Sequence, residues 1–243
     1  MITGFKEIDK YIKHDRCNKI IALAGRPGMG RTSLAIDMIA NYSEEKERVV
    51  YFSTKKYKWD ILKRMYKSYS YRYEEDYDYR LRIEDEVFTI EEIVKECKNE
   101  SFASLIIIDC FEDIESVSGY TTEKQKEIAI MRGLRKISDM RDCPILLLTK
   151  VDKKIEYQDY WNRHPRFEHI NNTVSLYSDV VMTLYREDYY YDEDFEWDES
   201  RKKIEIVLAK NRGGYNEKIA FGWKDKGGIN REVEPEAGGQ IWI

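Results

Sequence analysis

Gly25, Gly28, Gly30, Arg31, Thr32 and Ser33 are the residues whose types and spacing most directly carry chemistry in this chain. The run Gly25-Arg26-Pro27-Gly28-Met29-Gly30-Arg31-Thr32 meets every defining position of the phosphate-loop pattern G-x-x-x-x-G-K-[ST] except one, where Arg31 replaces lysine. Glycines let successive backbone N–H groups close round a phosphate, and the following helix presents its positive end. The Thr32 hydroxyl stands at the pattern's Mg²⁺ position. A second candidate is Asp109, which ends the apolar run Leu105-Ile106-Ile107-Ile108. Ligands gather at the C-terminal ends of parallel strands, so Asp109 is expected opposite Thr32, holding Mg²⁺ through water. The bland alternatives are a tight turn without ligand and an aspartate that only caps the next turn.

The elements that must position these residues are readable on both sides. Ile20 to Ala24 is a short apolar strand, and Leu34, Ala35, Met38, Ile39 and Tyr42 share one face of a helix over Ser33 to Tyr42. Val49 to Ser53 reads as a second strand, followed by a helix carrying Trp59, Ile61, Leu62 and Met65. Thr89 and Glu92 form a capping box for a helix whose face is Ile90, Ile93, Val94 and Cys97. Glu127 to Arg141 is a helix with Ile128, Met131, Leu134, Ile137 and Met140 as its core face, and Ile145 to Thr149 is a buried strand. Further strands are expected over Val180 to Tyr185, Ile204 to Ala209 and Ile219 to Trp223. Strands alternating with helices and then following one another predict an α/β fold, mainly parallel with an antiparallel C-terminal extension.

Composition narrows the function. A net charge of −5 over 243 residues excludes a broadly basic nucleic-acid surface, so any DNA contact must come from a local basic loop. No Pro-, Gly- or Ser-rich linker divides the chain, and a single domain over residues 1–243 is expected. Cys17, Cys97, Cys110 and Cys143 form no C-x-x-C pair, which fits a reduced, cytoplasmic chain. No signal-peptide region or membrane-length run is present, so no membrane partner is expected. The tyrosine-rich segments Tyr66 to Tyr79 and Tyr189 to Trp197 are read as solvated loops rather than partner surfaces.

In this order the pieces resemble the C-terminal RecA-like motor domain of DnaB-type replicative helicases. The resemblance rests on Thr3-Gly4-Phe5 with Ile8-Asp9, the phosphate loop with its particular Arg26-Pro27 and Met29, and Phe52-Ser53 with Arg64. It continues through Thr89 to Ile93, Asp109, Arg132 with Leu134, Asp179 with Tyr185-Arg186, and Lys210-Asn211-Arg212-Gly213-Gly214, and spans residues 3–223. It implies a RecA-like P-loop NTPase with ATP and Mg²⁺ as cofactors, in a ring that binds ATP between neighbouring subunits. Gly25 to Ser33 and Arg186 would contact the nucleotide, Thr32 and Asp109 the metal. Arg31 and Asp109 would serve the chemistry, joined by Lys210 and Arg212 reaching the γ-phosphate held by the next subunit. Lys150, Lys153, Lys154 and Arg163 match the region that faces single-stranded DNA, where they would neutralise phosphates.

The departures from the family pattern bear on activity. Arg31 brings a planar guanidinium to a site built for a compact ammonium. Lys55 stands where the family has its catalytic glutamate, and a cation cannot activate the attacking water. Glu112 is a conceivable substitute. Lys150 stands in the place of a γ-phosphate-sensing glutamine. The family's helical N-terminal domain is expected to be missing. Two readings follow: an ATP-dependent DNA helicase motor with impaired hydrolysis, or a non-catalytic protein that joins or regulates a DnaB-type helicase ring.

Overall fold

The computed structural model describes residues 2–12, 20–68, 80–99, 103–158, 163–190, 202–224, 227–230 and 233–238. Its strands are β1 (Ile20–Gly25), β2 (Val49–Ser53), β3 (Leu81–Glu84), β4 (Leu105–Asp109), β5 (Ile145–Lys150), β6 (Val180–Tyr185), β7 (Lys203–Asn211), β8 (Lys218–Trp223), β9 (Ile229–Asn230) and β10 (Glu236–Ala237). They form one continuous sheet in the order β10-β8-β7-β6-β1-β5-β4-β2-β3, with β9 against β8. The strands from β6 to β3 pair in parallel, whereas β7, β8, β9 and β10 add on antiparallel. That is the expected α/β architecture.

Alternation along each strand sends neighbouring residues to opposite faces, and both faces are covered. Ile21 and Leu23 of β1 join the cluster that includes Leu34 and Met38 of helix α2 (Arg31–Glu44), Ile61 and Met65 of α3 (Lys58–Ser68), and Ile8 of the short α1 (Lys6–Asp9). Ile20, Ala22 and Ala24 face the other cluster, with Ile93 of α4 (Ile90–Asn99), Leu134 of α5 (Glu123–Arg141) and Val174 of α6 (Asn172–Tyr177). Burial on both sides is why the central strands read as unbroken apolar runs.

Some expected details change. Helix α5 begins at Glu123 because Thr122 caps it, accepting from Gln125 N. Its core face uses Ile130 with Met131, Leu134 and Ile137, while Met140 is 40% exposed. Trp59 on α3 points to solvent at 76% exposure rather than packing with Ile61. The capping box forms as read: Glu92 N donates to Thr89 Oγ1 at 3.2 Å and Thr89 N to Glu92 Oε2 at 3.0 Å. Most of both tyrosine-rich segments, residues 69–79 and 191–197, and Cys17 lie outside the described residues. Among the described residues no helix is long and apolar enough to cross a membrane.

Candidate functional site

Between β1 and α2 the chain doubles back, with Met29 N donating to Arg26 O at 3.2 Å. Gly28 and Gly30 take φ of 85° and 99°, the left-handed region that side chains avoid. Packing reinforces the requirement, since a Cβ at Gly30 would lie 2.6 Å from the Trp223 ring and one at Gly28 2.7 Å from the Tyr189 ring. Met29 is buried in the core and anchors the loop, while Pro27 stands exposed on it. No side chain caps α2 at Gly30, so the first-turn N–H groups face the loop without a protein acceptor from that position. The stem of Arg31 lies over Gly25, its Cγ 3.2 Å from where a Cβ would stand. Arg31 Nη1 is buried without a hydrogen-bond partner among the described residues. A buried guanidinium N–H without acceptor is costly, and an anion in the loop would satisfy it.

Thr32, in the first turn of α2, meets Asp109 at the end of β4, its Oγ1 donating to Asp109 Oδ2 at 2.9 Å. The buried Tyr51 hydroxyl donates to the same oxygen at 2.8 Å. A third partner is one that the sequence does not reveal. Lys56 Nζ stands 2.7 Å from Thr32 Oγ1 and 2.8 Å from Asp109 Oδ2, between the two groups assigned to Mg²⁺. Burial pushes the Asp109 carboxyl up, yet the Lys56 charge and the hydrogen bonds from Lys56, Tyr51 and Thr32 outweigh it and hold the group below the usual aspartate value. The sequence signal is a pair of adjacent lysines just past β2; once the chain leaves the strand, alternation no longer says which one turns inward.

Lys55 turns the other way, to Asp113, which also accepts from Cys110 Sγ at 2.9 Å. Lys150 Nζ lies 3.7 Å from the same carboxylate. Glu112 is tied to the end of β5, accepting from Thr149 Oγ1 at 2.5 Å and Lys150 N at 2.7 Å. Two arginines expected at the nucleotide make protein contacts in this structure. Arg26 Nε donates to Glu156 at 2.8 Å and its Nη1 to Val151 O at 2.9 Å. Arg186 stays beside the loop, with Nη1 3.3 Å from Gly28 O, Nε 3.1 Å from Asp188 and its guanidinium over the Trp223 ring. Ser33 borders the C-terminal segment near Gly227.

Lys210 and Arg212 lie at the opposite end of the sheet. Asn211 pairs with Val180, which pairs with Ile21, so Arg212 sits roughly 16 Å behind Gly25 along the strand direction. Lys210 Nζ donates to Ser175 O at 2.9 Å and Leu176 O at 3.0 Å, at the end of α6. Arg212 pairs with the buried Asp179 at 2.9 Å. The basic loop after β5 holds Lys153 and Lys154 exposed on a short 3-10 turn, beside the exposed Tyr157. Arg163 donates to Gln158 O at 3.2 Å and lies over the Tyr190 ring.

The family model of the DnaB-like helicase C-terminal domain matches residues 1–72 and 71–228. The replicative DNA helicase DnaC of Bacillus subtilis (strain 168) is 27% identical over 241 residues, covering 87% of this chain and 52% of that protein. The replicative DNA helicase DnaB of Geobacillus stearothermophilus is 25% identical, with the same coverage of 87% and 52%. The chain therefore spans about half the length of these curated relatives. Among solved structures, a DnaB-like replicative helicase solved for its interactions with primase superposes with a TM-score of 0.77 at 21% identity, over 93% of this chain and 60% of that one. At this identity the structural likeness is one of fold.

Proposed function

This chain belongs to the DnaB-like helicase C-terminal domain family, and from that premise we propose that it binds ATP and works with single-stranded DNA in replication, with impaired hydrolysis. The observation that carries the nucleotide reading is the buried, unpartnered Arg31 Nη1 at the rim of a glycine loop. A phosphate there would receive the guanidinium, the loop N–H groups and the positive end of α2 together. ATP phosphates fit this cradle. Mg²⁺ does not fit between Thr32 and Asp109 with the side chains as they stand, because the Lys56 ammonium holds both.

Hydrolysis needs a carboxylate free to take a proton from water. Asp109 and Asp113 each pair with a lysine, and Glu112 is tied to β5 through Oε1 while its Oε2 is buried away from water without a partner among the described residues. Lys210 and Arg212 stand too far behind their own loop to serve it, which favours action on a neighbour's nucleotide in a self-assembled ring or a ring shared with a DnaB-type helicase. In that assembly Arg212 would leave Asp179. Lys150, Lys153, Lys154 and Arg163 would face the DNA strand, with Tyr157 offering a ring for a base to stack on. Cys97, Cys110 and Cys143 are buried as thiols rather than disulfides, which suits a reducing cytoplasmic setting. The position of Lys56 also favours the second reading, a non-catalytic member that joins or regulates a helicase ring.

ATP binding and turnover, each with and without single-stranded DNA, test the proposal. Binding is expected, with turnover at least about 100-fold below the enzyme median of about 10 per second. Brisk DNA-stimulated turnover of the unaltered chain would overturn impaired hydrolysis, and absence of binding would overturn the nucleotide reading.

A further inference from the structure

Lys56 is positioned by the fold rather than by chance contact at its tip. The chain turns sharply after β2, where Ser53 Oγ donates to Lys56 O at 2.6 Å and accepts from Lys56 N at 3.2 Å. Thr54 stitches this turn to the end of β4, with its N and Oγ1 both 2.9 Å from Asp109 O and Cys110 N donating back to Oγ1 at 2.9 Å. The turn directs Lys55 outward to Asp113 and Lys56 inward to Thr32 and Asp109. The inward ammonium meets a hydroxyl and a carboxylate, the two groups that a hydrated divalent ion would bridge at a phosphate loop.

We propose that Lys56 is the resident cation of this site: its ammonium takes the place of Mg²⁺, and the loop binds nucleotide phosphates without a divalent ion. The inference rests on the nucleotide reading above. An ammonium has three N–H donors. Thr32 and Asp109 engage two, which leaves one for a phosphate oxygen, and the Lys56 side chain is 31% exposed. Mg²⁺ sheds its water reluctantly. To enter it would have to displace a tethered like charge from a carboxylate already hydrogen-bonded by Tyr51 and Thr32. A lysine on its own chain meets no such barrier, and its effective concentration does not depend on the solution.

The test is nucleotide affinity, not turnover. The unaltered chain is titrated with ATP by calorimetry in EDTA and again in millimolar Mg²⁺, and the two affinities should agree within about threefold. Lys56→Met keeps the unbranched stem, one atom shorter, and removes its charge. Its affinity in EDTA should fall by about tenfold and recover on adding Mg²⁺. Binding by the unaltered chain that requires Mg²⁺ would overturn the inference and leave the nucleotide reading standing. No binding in either solution would overturn both. The comparison on the unaltered chain stands even where Lys56→Met folds poorly.

Discussion

Two buried aspartates sit at opposite ends of the parallel strands, and each is surrounded by cations and hydrogen-bond donors. Asp179, fully buried before β6, is held by Arg135 from α5 at 2.7 Å, by Arg212 beyond β7 at 2.9 Å and by Ile20 N of β1 at 3.0 Å. Asp109, at the end of β4, is held by one lysine, one threonine and one tyrosine beside a glycine loop. Asp179 ties a helix, a turn and a strand of its own chain together. Asp109 lies beside a cradle whose buried guanidinium still lacks an acceptor. Both carboxylates are buried, but Asp179 meets two guanidiniums and Asp109 a single, partly exposed ammonium; what sets the second place apart is the neighbouring Arg31 Nη1, a buried donor that the described residues do not match.

Asparagine at each position breaks the comparison most directly, since it keeps the shape and removes the charge. Asp179→Asn confronts two guanidiniums with a neutral amide and should cost about 2–3 kcal/mol in urea unfolding, against about 1 kcal/mol for Asp109→Asn, whose lysine reaches solvent. Equal losses would mean that Asp109 is a joint as well.

Acid titration sharpens the contrast at Asp109. Its folded value is depressed, so the ionised carboxylate stabilises the fold fully above the unfolded aspartate value of about 3.9, and that stability is lost as pH falls through the folded value. Lys56→Met leaves burial unopposed by the lysine charge, so the acid limb of the stability curve should move to higher pH. An unmoved limb, followed by urea midpoints across the acid range, would show that Lys56 does not hold Asp109 in solution.

The smallest effect concerns the basic loop, whose exposed lysines are matched by neither joint nor cradle. Lys153→Glu with Lys154→Glu should flatten the salt dependence of single-strand binding by a slope of about 1.4, roughly 0.7 for each phosphate no longer neutralised. An unchanged slope would remove that loop from the DNA surface.

Much of this molecule was determined by the sequence alone. β2 and β4 each run one polar residue past their apolar run, to Ser53 and Asp109, and β6 spans its run with Thr183 buried inside it; burial on both faces is what makes these runs legible. The loop from Gly25 to Thr32 announces itself through glycines that the backbone requires, and Thr89 with Glu92 marks a helix start by local hydrogen bonds. Residues governed by local rules were legible because both partners lie within a few positions of each other. β3 was not: in its four residues only Ile83 is buried, and pairing with β2 rather than any periodicity makes it a strand. The tertiary structure alone decided that Ile130 replaces Ile128 in the core, that Arg26 turns to Glu156, and that Lys56 rather than Lys55 faces Asp109. In each case the deciding partner is distant in sequence, or the side chain lies on a turn where no period fixes its direction, so only the assembled sheet selects among the rotamers that the chain allows.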